Sequence, residues 1–232
     1  MVYHWSSSII KRGFIQISQE QFSVNYLLIL DIKIMSIGLF IIPEEPLKSK
    51  ILYWKEQVKK ELNHQPYLDH PAHMTIINLE LQNENSAISM IKRYLSNTNA
   101  FYIDINKNKV FLNDISTSGH TIYYGVDKHQ QLANIQIQLA NILAKNRIRK
   151  NPPNFLLNNT ILLNSYQTFG SPFIGSHWIP HFTIASLKVN KDHSIIKEFL
   201  SDNDLFSFKV KKISIWRIIN DDHNMLEEIN LR

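Results

Sequence analysis

A four-residue pattern occurs twice in this chain and constrains its fold more than any other feature. The copies are His73-Met74-Thr75-Ile76 and His181-Phe182-Thr183-Ile184, each a histidine, any residue, a threonine and an aliphatic residue. Each copy begins an apolar run typical of a strand, 73–81 and 181–189. Because side chains alternate between the two faces of a strand, each copy places its imidazole and its hydroxyl on one face. Two such strands facing each other would surround a small anion with two acid–base groups and two hydroxyl donors.

A single histidine-x-threonine match carries little information, because so short a motif occurs by chance in many chains. The alternative interpretation is that the two histidines are buried, hydrogen-bonded residues of unrelated strands. Both copies, however, continue into an aliphatic residue and a strand-like run, and the second begins 108 residues after the first. We therefore favour one composite site built from both copies.

The composition is typical of a globular protein and indicates which classes of binding partner to expect. A chain of 232 residues, 44% hydrophobic and 19% charged, can bury a core. The longest apolar stretch, 26–42, is interrupted by Asp31 and Lys33, so we expect no transmembrane helix and no membrane partner. The absence of cysteine excludes disulfides and thiolate chemistry and is compatible with a cytoplasmic protein. The net charge of +5 favours anionic partners such as nucleotides or RNA, although a solvated lysine-rich surface would give the same excess.

The apolar pattern predicts alternating strands and helices. Strands are predicted over 26–34, 36–43, 73–81, 101–105, 109–112, 121–126, 181–189, 206–210, 213–218 and 227–231. The segments 101–105 and 109–112 are either two strands or one bent strand. Helices are predicted over 47–62, 86–95, 128–147 and 192–200, with Asp127 as the cap of the third. The stretch 150–180 is rich in proline, glycine, asparagine and serine, and we predict a long functional loop that folds over the site.

The two motif strands hold similar places in this order, since each precedes a helix. This predicts an α+β fold of two pseudo-symmetric lobes, each a mostly antiparallel sheet with helices outside, around a central cleft. We expect an N-terminal extension, 1–34, followed by a single bilobal domain, 35–232. Met35 is then a candidate initiator, which the intact mass of the native protein would test. We expect a monomer.

Residues 36–218 resemble the 2H phosphoesterases, the family that includes RNA 2′,5′-ligases and 2′,3′-cyclic phosphodiesterases. The resemblance rests on the two motif copies, on their spacing, on the strand 36–43 and on the context Trp178-Ile179-Pro180 before the second copy. It implies a bilobal fold around a concave cleft, with no metal and no other cofactor. It does not imply which substrate is used.

The resemblance also implies that His73 and His181 are catalytic and that Thr75 and Thr183 hold the phosphate. An unperturbed histidine pKa of about 6.5 suits both the removal of a proton from water and the protonation of a leaving ribose oxygen. Threonine hydroxyls can donate to the non-bridging oxygens, where charge concentrates. We expect a metal-independent phosphodiesterase acting on 2′,3′-cyclic phosphate or on 2′,5′-linked, linear or cyclic, nucleotides and RNA ends. RNA ligation is the less favoured activity.

Other residues near the motifs have weaker claims. Three aromatic residues are candidates to stack on a nucleobase: Tyr166, Phe169 and Trp178. A metal site built from Asp69, His70 and His177 is disfavoured because these residues lie in predicted loops and form no HExxH helix. Two alternatives to an enzyme stay open. One is a non-catalytic RNA- or nucleotide-binding protein of the same fold, and the other is a structural or metal-binding protein with incidental histidines.

Overall fold

A computed structural model of the protein describes residues 35–127, 129–202, 204–220 and 222–232. Eight strands occur in these residues: β1 Met35–Ile41, β2 Met74–Leu79, β3 Phe101–Phe111, β4 His120–Val126, β5 His181–Leu187, β6 Phe206–Val210, β7 Lys212–Ile219 and β8 Asp222–Asn230. The same residues contain five α-helices: α1 Leu47–Leu62, α2 Glu84–Leu95, α3 Gln130–Leu143, α4 Thr160–Phe169 and α5 Ser194–Ser201. None of these helices has the length and apolar character needed to cross a bilayer.

The eight strands form one sheet in the order β6-β3-β4-β5-β2-β1-β7-β8, with antiparallel pairing throughout. The sheet consists of two four-stranded halves that meet between β5 and β2. That junction is a single residue pair, Met74 with Phe182, whereas every other pair of neighbouring strands is matched over several residues. The predicted α+β class is therefore confirmed, and the two predicted lobes are the halves of one continuous sheet.

The chain repeats a strand–helix–strand–helix order in the two halves. The first half uses β1, α1, β2 and α2, and the second uses β4, α3, β5 and α5, with α4 inserted before β5. After the first repeat the chain adds β3 beside β4, and after the second it adds β6 beside β3, both in the second half. It then returns to the first half, where β7 pairs with β1. The two motif strands lie side by side at the centre of the sheet.

Helices from each half pack against the motif strand of the other. Helix α1 contacts β5, and α3 contacts β2. The buried stripe of α1 is the one that its sequence predicts, with Leu47, Ile51, Trp54 and Val58 at most 5% exposed. On the strands, Met74 and Phe182 are fully buried in the same core. The motif strands are thus fixed from behind by helices, and their opposite face is left for a site.

One predicted helix differs from the structure at its start. Helix α3 begins at Gln130 rather than at 128, and its cap is His129, whose ring accepts a hydrogen bond from the Leu132 amide. Asp127 is not the cap; its carboxylate accepts a hydrogen bond from the Asn106 side chain instead. Of the two predicted forms of 101–112, two strands or one bent strand, the structure has one strand, β3, with a register shift between residues 105 and 107.

The stretch 150–180 is not a continuous loop, because it contains α4. Asn159 caps this helix by accepting a hydrogen bond from the Leu162 amide, and Gly170 ends it with a φ of +81°. The apolar residues of α4 follow one another at 161–163, which hides the helical period in the sequence. The strand predicted over 26–34 and the extension 1–34 lie outside the described residues and stay predictions.

Candidate active site

The two motif strands meet at the middle residue of each motif. Met74 and Phe182 are direct partners in the antiparallel pairing of β2 and β5. Both side chains are buried, so the residues on either side of them point to the opposite face. All four of these flanking side chains are half-buried and line one cleft of about 940 Å³: His73, Thr75, His181 and Thr183.

The antiparallel register arranges the four side chains around a pseudo-twofold axis. Extending the central pair by one residue in each direction places His73 opposite Thr183, and Thr75 opposite His181. Each imidazole therefore lies next to a hydroxyl of its own strand and across from a hydroxyl of the other. Two acid–base groups and two hydroxyl donors converge on the same region of the cleft.

A β-bulge follows the threonine in both motif strands. In β2, Thr75 pairs with Phe40 and Ile77 with Leu39, so Ile76 is the extra residue. In β5, Thr183 pairs with Tyr123 and the next pair is at residue 185, so Ile184 is the extra residue. The bulged residue is the aliphatic position of the motif in each case. A bulge bends its strand and turns side chains to a new direction.

Both bulged isoleucines are anchored in the core, where they are at most 1% exposed. Beyond the bulge, Ile77 is 3% exposed and Asn78 is exposed, and both line the cleft. The aliphatic position of the motif therefore fixes where the strand turns, immediately beyond the threonine.

Both imidazoles are held by the same backbone contact. The Nδ1 atom of His73 lies 2.7 Å from the carbonyl oxygen of Pro71, and that of His181 lies 2.6 Å from the carbonyl oxygen of Ile179. A carbonyl oxygen can only accept, so Nδ1–H is the donor in each ring. The neutral form of each histidine then keeps its lone pair on Nε2. Each ring can accept a proton at Nε2, or donate one there once it is protonated.

The His73 ring is packed among aromatic groups. The ring of Phe40 stacks on it with centroids 4.1 Å apart and planes 27° apart, and the His223 ring lies 5.5 Å away. Gly38 makes room for this stack, because a Cβ atom at that position would lie 2.6 Å from Cζ of Phe40. The His181 ring is instead met edge-on by Tyr123, with centroids 4.9 Å apart.

The two histidines differ in the charges around them. Burial, with smaller contributions from nearby His223, His70 and Lys55, lowers the pKa of His73 to about 3, and the contact with the Pro71 carbonyl opposes this shift. Burial also lowers the pKa of His181, but the contact with the Ile179 carbonyl and the carboxylate of Asp114 oppose that effect. The neighbouring charges therefore disfavour a protonated imidazole at His73 and favour one at His181.

Lys55 places a buried cation in the wall of the cleft. Its Nζ atom donates to the carbonyl oxygens of Tyr67 and Leu68, and the residue is 7% exposed. Burial lowers the pKa of this ammonium group to about 8. Its two bonds tie helix α1 to the segment that leads into the first motif, including Pro71, which holds His73.

The other residues singled out in the sequence lie at different places. Trp178 lines the cleft with the motif residues, Tyr166 lines an adjoining cavity, and Phe169 packs against the core. His70 and His177 line the cleft, whereas Asp69 is 3.3 Å from His64. In the part of the chain that the structure describes, no three His, Asp or Glu side chains come together as metal ligands would.

The sequence analysis does not single out several residues near the histidines, among them Phe40, Asp114, His223 and Lys55. For Lys55 the sequence did contain a signal, because it lies four residues after Ile51 and three before Val58, on the buried stripe of α1. Phe40 and Asp114 belong to segments distant in sequence from the histidine each one affects. Only the pairing of β1 with β2 and of β4 with β5 brings them near.

Two strands that each carry an imidazole and a hydroxyl at their start, and that pair at the centre of one antiparallel sheet, are the arrangement expected of a 2H phosphoesterase. The chain belongs to the 2′-5′ RNA ligase superfamily, whose family model matches residues 43–222. This membership makes it a phosphoesterase- or ligase-type enzyme, of a superfamily that processes phosphodiesters and RNA ends. No curated protein matches the chain in sequence.

Solved structures share this fold at low sequence identity. TT0787 of Thermus thermophilus is 13% identical, with a TM-score of 0.57, covering 85% of this chain and 98% of that chain. Escherichia coli LigT in its apo form is 11% identical, with a TM-score of 0.55, covering 86% and 98%. LigT complexed with 3′-AMP is 13% identical, with a TM-score of 0.52, covering 85% and 98%. At these identities the likeness shows the fold.

Proposed function

We propose that the protein is a metal-independent phosphodiesterase that hydrolyses 2′,3′-cyclic phosphate or 2′,5′-linked nucleotides and RNA ends by two-histidine acid–base catalysis. The observation that carries the proposal is the matched pair of Nδ1 contacts, His73 to Pro71 and His181 to Ile179. They fix both rings in the tautomer that exchanges protons at Nε2. Family membership supports the general class of reaction.

In the proposed reaction, the phosphate lies between the two motif strands. Nε2 of one neutral histidine takes a proton from water as the water oxygen bonds to phosphorus. The bond from phosphorus to the ribose oxygen breaks, and Nε2–H of the other, protonated histidine gives its proton to that oxygen. Thr75 and Thr183 donate to the non-bridging oxygens, where negative charge increases in the transition state. Proton exchange with solvent then restores both imidazoles.

The charges around the rings support a specific assignment of roles. His73 lies near Lys55, which disfavours its protonation, so His73 is proposed as the base. His181 lies near Asp114, which favours its protonation, so His181 is proposed as the acid. A bound anionic phosphate raises the pKa of both rings, and the Asp114 carboxylate then favours the proton on His181.

A nucleotide substrate agrees with several features of the cleft. Trp178 offers an aromatic face in its wall, and Lys55 contributes positive charge. The structurally similar LigT has been solved with 3′-AMP, a nucleotide that carries its phosphate on the ribose 3′ oxygen. The net charge of +5 favours association with such anions.

The direct test is an assay of the full chain in the presence of EDTA. Adenosine 2′,3′-cyclic phosphate, 2′,5′-oligoadenylate and a cyclic dinucleotide are incubated separately, and products are separated by chromatography. We expect hydrolysis of the cyclic phosphate or of a 2′,5′ bond, with loss of turnover in His73→Ala and His181→Ala. Nucleotide binding without turnover would instead indicate the non-catalytic binding protein. Activity that is abolished by EDTA would contradict metal independence.

A further inference from the structure

A second cavity of about 500 Å³ adjoins the motif cleft. Asn78 and Ile218 line both cavities, so the two lie on either side of these residues. The second cavity is lined also by Arg147, Lys150 and Tyr166. Its volume lies within the range of roughly 300–1,000 Å³ that is usual for ligand pockets.

The cleft is open toward this cavity but closed at the pseudo-symmetric position. Asn78, three residues after Thr75, is exposed on the cleft side of its bulge. Its counterpart Ser186, three residues after Thr183, is fully buried. The Ser186 hydroxyl lies 2.5 Å from that of Thr117, in the turn between β3 and β4. Space for a ligand therefore adjoins the cleft beside Asn78, whereas protein fills the corresponding position at Ser186.

Arg147 gives the second cavity a buried positive charge. The residue is 9% exposed, and its guanidinium donates to the carbonyl oxygens of Tyr166 and Gln167 at the end of α4. Its Nε atom is buried and has no hydrogen-bond partner among the described residues. Among the same residues, the guanidinium forms no ion pair. Burial lowers the pKa of Arg147, and the nearby charge of Arg149 adds to this effect. An anion in the cavity would offset this charge.

A second cation and an aromatic ring complete the lining. Lys150 forms a salt bridge with Glu80, and its side chain is 45% exposed, so it can turn toward a ligand. Tyr166 is half-buried, and its hydroxyl reaches the Asn151 carbonyl only at 3.5 Å. Cations beside an aromatic ring are the groups that bind the backbone and base of a single-stranded nucleic acid.

We propose that the second cavity holds the nucleotide next to the one whose phosphate lies between His73 and His181. The preferred substrate is then a single-stranded RNA end of at least two nucleotides rather than a mononucleotide. Tyr166 stacks on the base of the adjacent nucleotide, and Arg147 and Lys150 receive its phosphate. This inference rests on the proposed function, because it extends the same site.

The test compares a trinucleotide that ends in a 2′,3′-cyclic phosphate with the corresponding mononucleotide 2′,3′-cyclic phosphate. The quantity measured is the ratio of kcat/KM for the two substrates. We expect Tyr166→Ala and Lys150→Ala each to lower this ratio about tenfold, and Tyr166→Phe to retain it because the ring is kept. Two controls remove an exposed residue of the same type outside both cavities: Lys145→Ala and Tyr102→Ala.

The outcomes separate this inference from the proposed function. A ratio that is the same in Tyr166→Ala, Lys150→Ala and the controls would overturn the inference while leaving phosphodiesterase activity in place. If the wild type hydrolyses neither substrate, the proposed function fails, and binding then decides the inference. A fluorescent trinucleotide with a 3′-phosphate should bind Tyr166→Ala about tenfold more weakly than wild type, and equal affinity would overturn the inference.

Discussion

The ring of Phe40 stacks on the imidazole of His73 with centroids 4.1 Å apart. The stack and the Nδ1 contact to Pro71 restrict the His73 ring from two directions. Phe40 pairs with Thr75 across the strands, so the same residue adjoins a hydroxyl and an imidazole of the first motif. The position of this general base therefore depends on β1 as well as on its own strand.

Replacing Phe40 with leucine should lower kcat about tenfold, because the His73 ring loses its stacking partner and samples unproductive orientations. Folding should be retained, since hydrophobic exchanges of similar volume usually cost below about 1.5 kcal/mol. Phe101→Leu is the matched control, because Phe101 stacks on His129 with centroids 5.4 Å apart and does not line the cleft. Equal losses of kcat in the two variants would contradict a positioning role for Phe40.

Asp114→Asn tests the assignment of His181 as the acid. The Asp114 carboxylate raises the pKa of His181, so its removal should lower that pKa. The alkaline limb of kcat/KM against pH reports the acid in the free enzyme and should therefore move to lower pH. The acidic limb, assigned to His73, should move less. Asp127→Asn controls for the loss of one carboxylate, and a shift of only the acidic limb would reverse the two roles.

The buried neutral state of His73 should make stability depend on pH. Its folded pKa is about 3, whereas an unfolded histidine titrates near 6.5, so the unfolded state binds more protons between these values. Stability should therefore fall as the pH falls below about 6.5. Urea unfolding at pH 7 and pH 5 should show a smaller loss for His73→Gln than for wild type. His64→Gln, at an exposed position, should behave like wild type, and equal losses in all three proteins would contradict the burial of a neutral His73.

Lys55→Met tests whether the two hydrogen bonds of the buried Lys55 ammonium group stabilise the fold and the segment that holds Pro71. Methionine fills similar space but leaves the carbonyls of Tyr67 and Leu68 without their donor, which should cost about 1–3 kcal/mol of unfolding free energy. The segment that holds Pro71 should then shift, so activity should fall as well. Lys60→Met removes an exposed lysine of the same helix and should change neither quantity appreciably. An unchanged free energy of unfolding in Lys55→Met would show that the tether contributes little.

Much of the fold follows from apolar periodicity. Helix α1 occupies the predicted range 47–62, and β1 covers Met35–Ile41 where 36–43 is predicted. These elements have a regular buried stripe or a short apolar run closed by proline, which are local signals. Helix α4 lacks such a signal, because its apolar residues are consecutive and its buried residue is a serine, Ser165.

In the site too, some features follow from a single segment of the sequence and others depend on contacts between distant segments. The pairing of imidazole with hydroxyl at 73/75 and 181/183 follows from strand alternation alone. The bulges at Ile76 and Ile184 depend on the register with a partner strand, which no single segment contains. The effects of Lys55 and Asp114 on the histidines likewise arise only when distant segments meet.

In the proposed reaction, His73 and His181 act as one catalytic pair. The most direct measurement is single-turnover hydrolysis of a 2′,3′-cyclic nucleotide by wild type, His73→Ala, His181→Ala and the double variant. We expect each single variant to lose on the order of 10²–10⁴-fold in rate, with little further loss in the double variant because the two groups act in one step. Near-normal turnover in either single variant would contradict the account.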